Sequence, residues 1–376
     1  MKVWRVLLLT VLFVTVVALP VSAQSDDLYD EQLSASGAQA LTERLPADTQ
    51  ELLDGLGLLD LQQNSFSELS LSAVMGTLSA LLRENASGPL RAFLSLMAVV
   101  ILSALFSGLE GVTDRPSLRQ TYHTVSVLAS SGLLLTSFSS YLHAVQQAVE
   151  SVSVFMLSYV PVYGTIIAVS GTPSAALSYQ TTLLAAAELL TQGIRLIALP
   201  VLTVSLAFGC VGSVTEDFCL SSFSQTFYKT VLWAIGLFST VFSGVLSVQQ
   251  MVTAAGDSLG SRALRFSLAS FVPVVGGTLS EAYSTVVGCA GLLRSTVGAF
   301  GLVATVLMIL PPLLSGVGWS VCLSLGSSAA ALFKLGALEK LFRCVAGAVR
   351  VLIAVLAVYA LLMVVSTSVI AFAGRG

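Results

Sequence analysis

Of the 376 residues, 55% are apolar and only 10% are charged, and the mean hydropathy is +0.91. A soluble domain carries roughly a quarter of its residues as charges, so the chain reads as a polytopic membrane protein. Its formal net charge of −3 offers no basic surface for nucleic acid.

The N-terminus reads as a targeting segment. Lys2 and Arg5 precede an apolar run at 6–19, and Val21, Ser22 and Ala23 form a small-residue cleavage site. The run is short for a span of about 20 residues, so residues 1–23 are expected to be a cleavable signal peptide. Residues 24–90 follow as an acidic extracytoplasmic helical segment, in which Arg44 and Arg83 are the only cations. Leu52, Leu53, Leu56 and Leu59 give it weak helical periodicity.

Residues 91–376 are expected to form an all-α membrane domain of six to eight segments. Apolar stretches at 92–111 and 122–142 flank a connection with Arg115 and Arg119, whose charges favour the cytoplasm. Further apolar segments cover 149–170, 174–191 and 194–212, then 230–248, 297–317 and 321–333. Lys334, Lys340, Arg343 and Arg350 mark the most basic connection, again expected in the cytoplasm, before a final span at 351–373.

Two similar phrases organise this domain: YVPVYG at 159–164 and FVPVVGG at 271–277. Each is preceded by a glutamine pair, Gln146 and Gln147 or Gln249 and Gln250, and followed by a Leu-Pro pair, Leu199 and Pro200 or Leu310 and Pro311. The matching features lie about 110 residues apart, which reads as an internal duplication with repeat 1 at about 121–228 and repeat 2 at about 229–333. Proline removes a backbone donor and bends or breaks a helix, and lipid cannot satisfy the freed groups. Pro161, Gly164, Pro273, Gly276 and Gly277 are therefore expected to break helices and pack together as the core of the repeats.

The residues offer no catalytic, metal or cofactor signature. The five cysteines form no CxxC pair and read as packing residues. His123 and His143 stand about 30 Å apart on one helix, and there is no HExxH, Walker or GxSxG pattern. Intramembrane charges are the remaining clue. Glu188 and Glu281 are expected in the bundle interior, whereas Arg195 and Arg294 are read as snorkelling to water from helix ends.

In their order, the exported acidic segment, the two phrases and the VVGC stretch at 286–289 resemble the stage III sporulation protein AE family of endospore-forming bacteria. The resemblance implies a non-catalytic, multi-pass component of the mother-cell membrane surrounding the forespore. It would belong to a secretion-like channel complex with sibling stage III sporulation membrane proteins and an ATPase, supporting forespore development. The residues alone also admit a secondary transporter with a substrate site at the repeat interface.

Overall fold

The computed structural model describes residues 26–59, 61, 71–109, 116–214, 220–271 and 276–373. The proposed signal peptide, Pro273 and the connections at 110–115 and 215–219 lie outside the described residues. Within them the chain is helical and contains no strand. Three short helices, α1 (Asp26–Ser36), α2 (Ala40–Glu43) and α3 (Ala47–Gly55), precede α4 (Leu71–Leu109) and α5 (Pro116–Val169). Helix α6 (Pro173–Gly193) runs through a π-helical turn (Ile194–Ala198) into α7 (Leu199–Val214). Helices α8 (Leu220–Phe271), α9 (Gly276–Leu332) and α10 (Gly336–Ala373) complete the chain.

Among the described residues, six helical stretches are long and apolar enough to cross a membrane: Val74–Phe106, Thr124–Val169, Pro173–Ser213, Ser224–Gly260, Tyr283–Leu332 and Gly336–Ser368. Two reversals lie wholly within the described residues. At the α5–α6 reversal, Gly171 adopts φ 90°, a conformation glycine takes without a Cβ penalty. Pro173 then supplies the preset first turn of α6. At the α9–α10 reversal, Leu335 N–H bonds the Ala330 carbonyl (2.9 Å) and Lys334 N–H bonds that of Ala331 (3.0 Å), a Schellman closure with Lys334 at φ 59°.

Helices α9 and α10 form the middle of the bundle, with Val297, Phe300, Ala304, Phe342, Val349 and Leu356 buried. Helix α8 is peripheral and leaves Trp233, Val241, Val248 and Met251 exposed. It also completes α6 from outside. Asp257, only 5% exposed, accepts hydrogen bonds from the backbone N–H groups of Ser174 (3.0 Å) and Ala175 (2.9 Å). A remote carboxylate thus caps the α6 N-terminus, where Thr172 makes no side-chain cap.

This level also fixes how far the α8–α9 pair extends. Asp257 and Arg294 both meet the α5–α6 reversal. Helix α8 continues about 21 Å past Asp257, and α9 begins about 27 Å before Arg294. The short N-terminal helices sit on the resulting ledge. Gln32 donates to the Val286 carbonyl (3.3 Å), and Arg44 donates to the Ser158 hydroxyl (2.8 Å). Tyr29 is buried and donates to the Leu61 carbonyl (3.0 Å).

Several expectations are corrected. Helix α5 runs unbroken through Pro161, whose ring faces outward, and the Gln180 amide donates to the Pro161 carbonyl (3.3 Å). Of the two phrases, residues 272–275 of the second lie outside the described residues. The first meets α9 near Gly301, about 37 Å along the helix from Gly276. Gly276 and Gly277 instead open α9. Arg294 is buried rather than snorkelling, because the reversal falls beside it and α9 continues beyond. Val355, whose place in the last apolar run reads as lipid-facing, is 1% exposed. The basic residues Lys340, Arg343 and Arg350 stand on α10 itself rather than in a connection.

Candidate functional site

Two polar settings arise within the apolar bundle. The first surrounds the initial phrase. The i, i+4 spacing of Phe155, Tyr159 and Tyr163 aligns three rings on one face of α5. Phe155 and Tyr159 stack at 5.4 Å, and Tyr159 and Tyr163 stack at 5.3 Å. Phe300 and Tyr179 close the ladder edge-on. Helix α9 admits it through two glycines. A Cβ at Gly301 would overlap the Tyr159 ring, and one at Gly298 would crowd the Tyr163 hydroxyl. Tyr159 donates to the Val297 carbonyl (3.3 Å). Beyond the ladder, the Arg294 guanidinium reaches the hydroxyls of Ser170 (3.4 Å) and Thr172 (3.5 Å). Gly164 lies against the Gln180 side chain, so its missing Cβ makes room for the amide that bonds Pro161.

The second setting is a groove of about 550 Å³ between α5, α6, the π turn and α10. Helix α5 presents Gln146, Glu150 and Ser153, spaced by four and three residues and so on one face. Helix α6 and its continuation present Glu188, Thr191, Gln192 and Arg195 on the opposing wall. Val351, Leu352 and Val355 form the apolar floor. Thr191 bonds the Tyr359 hydroxyl at 2.7 Å and donates to the Ala187 carbonyl, anchoring this wall to α10. The wall then loosens into the π turn, a wider helical geometry frequent at functional sites.

The groove charges are unevenly matched. Arg195 and Glu150 pair at 3.6 Å, with side chains 59% and 66% exposed. Glu188 accepts from the Gln192 amide at 2.9 Å, a neutral donor. Exposed Val154, Leu157, Leu189, Leu196 and Ile197 surround these groups. The charges therefore stand on the outer wall of the bundle, inside two membrane-crossing stretches.

The sequence-selected residues fall in different places. Glu188 lines the groove and is exposed, while Glu281 is exposed on α9 ahead of the Tyr283–Leu332 stretch. Glu150 carries half of the ion pair yet escaped sequence reasoning, although an isolated carboxylate in the apolar run 124–169 was a usable signal. Asp257 was hidden because a cap supplied from a distant helix leaves no local motif. Gln249, noted only as a repeat marker, accepts a hydrogen bond from Thr182.

The stage III sporulation protein AE family model matches residues 58–374. The chain belongs to the stage III sporulation protein AE family. It is 24% identical over 281 residues to stage III sporulation protein AE of Bacillus subtilis (strain 168), covering 75% of this chain and 70% of that protein. No solved structure matches. The stage III sporulation protein AE match takes in the six membrane-crossing stretches, the aromatic ladder and the groove, and begins after α3. The family places the chain in sporulation, and its six apolar helices place it in a membrane.

Proposed function

We propose that this chain is a non-catalytic membrane subunit of a secretion-like channel complex that links mother cell and forespore and supports forespore development. Its partners are sibling stage III sporulation membrane proteins and an ATPase, and its location is the mother-cell membrane around the forespore. Family membership supports the sporulation setting. The position of the charges carries the subunit reading. Phe155, Tyr159, Tyr163 and Phe300 fill the middle of the bundle, while Glu150, Glu188 and Arg195 open onto its side. A carrier acting alone gathers its polar binding groups between its repeats. A subunit offers them to neighbours.

Purification of the tagged chain from sporulating cells should recover the sibling membrane proteins and the ATPase together. Recovery of the chain alone, with solute uptake once it is placed in liposomes, would favour the secondary transporter instead. The groove volume, within the roughly 300–1,000 Å³ range of small-ligand sites, is the observation on that side.

A further inference from the structure

We propose that the groove at the π turn receives a membrane helix of a partner subunit, and that a lysine or arginine on that helix pairs with Glu188. This rests on the subunit reading above. Depth is the first argument. Glu188 stands about 22 Å of helix from Pro173, and Glu150 about 28 Å from Val169. Both carboxylates lie on short side chains among exposed apolar residues, so bare lipid is a poor neighbour for them.

Charge gives the kind of partner. Among the described residues Arg195 pairs with Glu150, whereas the Glu188 carboxylate bonds the neutral Gln192 amide, so the groove lining carries one more negative than positive group. The occupant that completes it is a cation. The groove opens sideways between the Val154–Leu157 side of α5 and the Leu189–Leu196 side of α6 and its π turn, so the occupant approaches within the membrane plane. An apolar helix with one basic side chain meets both conditions. A second copy docked about a twofold axis would set Glu188 against the same acidic groove, which disfavours a symmetric dimer.

The test places a photo-crosslinking amino acid at Leu189 and, as a control on α8, at Val241, in the full chain produced in sporulating cells. Leu189 should crosslink to another polypeptide, and the mapped peptide should lie in a membrane helix containing Lys or Arg. Glu188→Lys should lower that yield at least about tenfold, and changing the mapped basic residue to Glu should restore it. Glu188→Gln, which keeps the side-chain shape, should give an intermediate loss and separates lost charge from misfolding. Crosslinks to lipid alone, to a second copy of this chain, or unmoved by either Glu188 variant would overturn the inference. A co-purified complex without the Leu189 crosslink would sink the groove assignment and leave the subunit reading standing. A wild-type chain recovered without partners would sink both.

Discussion

Gly298 and Gly301 serve the aromatic ladder of α5 as Gly316 serves Tyr141 on the same helix. Each makes room for a tyrosine of α5, whereas a Cβ at Gly288 or Gly291 would meet open space. Gly301→Leu would drive a branched side chain into a ring held between Phe155 and Tyr163. Overpacking of this kind costs about 1–3 kcal/mol or more, so the variant should lose thermal stability in detergent. Gly291→Leu should unfold with the wild type. Gly164→Leu should fall between them, because the atom in its way belongs to the flexible Gln180 side chain rather than to a fixed ring. Equal melting of the Gly301 and Gly291 variants would remove the ladder from its central role. Val355 is unsuitable as a tolerant control, since it is buried on the groove floor.

The caps and the N-terminal helices show how distant parts of the chain complete one another. Asp257→Asn weakens a charge-assisted cap on α6 while keeping the side-chain size. A cap is worth about 0.5–2 kcal/mol, and hydrogen exchange at Ser174 and Ala175 should rise without a change at the α9–α10 reversal. Tyr29 makes the docking of α1 sensitive to alkali. Burial pushes its phenol above the ordinary value, the Thr296 hydroxyl opposes this, and Asp30 adds to it. Because the folded value is the higher one, the stabilisation is complete below the unfolded pKa of about 10 and is lost as pH rises through the folded pKa. Limited proteolysis of residues 26–61 should therefore accelerate above about pH 10 in the wild type, and Tyr29→Phe should flatten that dependence. Identical pH profiles would refute it. Hydropathy made the long helices legible in the sequence, and the leucines at 52, 53 and 56 marked α3. It did not reveal that residues 174–191 and 194–212 are one continuous path, because a π turn carries no composition signal of its own. Nor did it reveal the burial of Arg294, which depends on how far α9 extends past its neighbours.

Six crossings fit the six-to-eight range, and they assign the connections to faces. The α1–α3 ledge, the α5–α6 reversal and the start of α9 share one end, because Arg44, Gln32 and Arg294 tie them together. The start of α5 at Pro116 and the α9–α10 reversal are separated by four crossings, and so share the other end. Exposed Lys334, Lys340 and Arg343 lie at or near that second end, where positive charge is retained in the cytoplasm. On that rule the acidic ledge is expected to face away from the cytoplasm. This predicts the labelling of single cysteines in a chain cleared of its native ones. With the chain produced in non-sporulating cells, where the outer membrane face is open to the medium, a membrane-impermeant maleimide should react with Glu51→Cys on intact cells and should reach Lys334→Cys only after permeabilisation. Both positions are exposed, so poor reaction at Lys334 before permeabilisation would reflect the membrane rather than packing. Equal labelling of the two on intact cells would place both ends on one side and rule out an odd number of crossings between them; labelling of Lys334→Cys alone would invert the orientation and place the ledge in the cytoplasm.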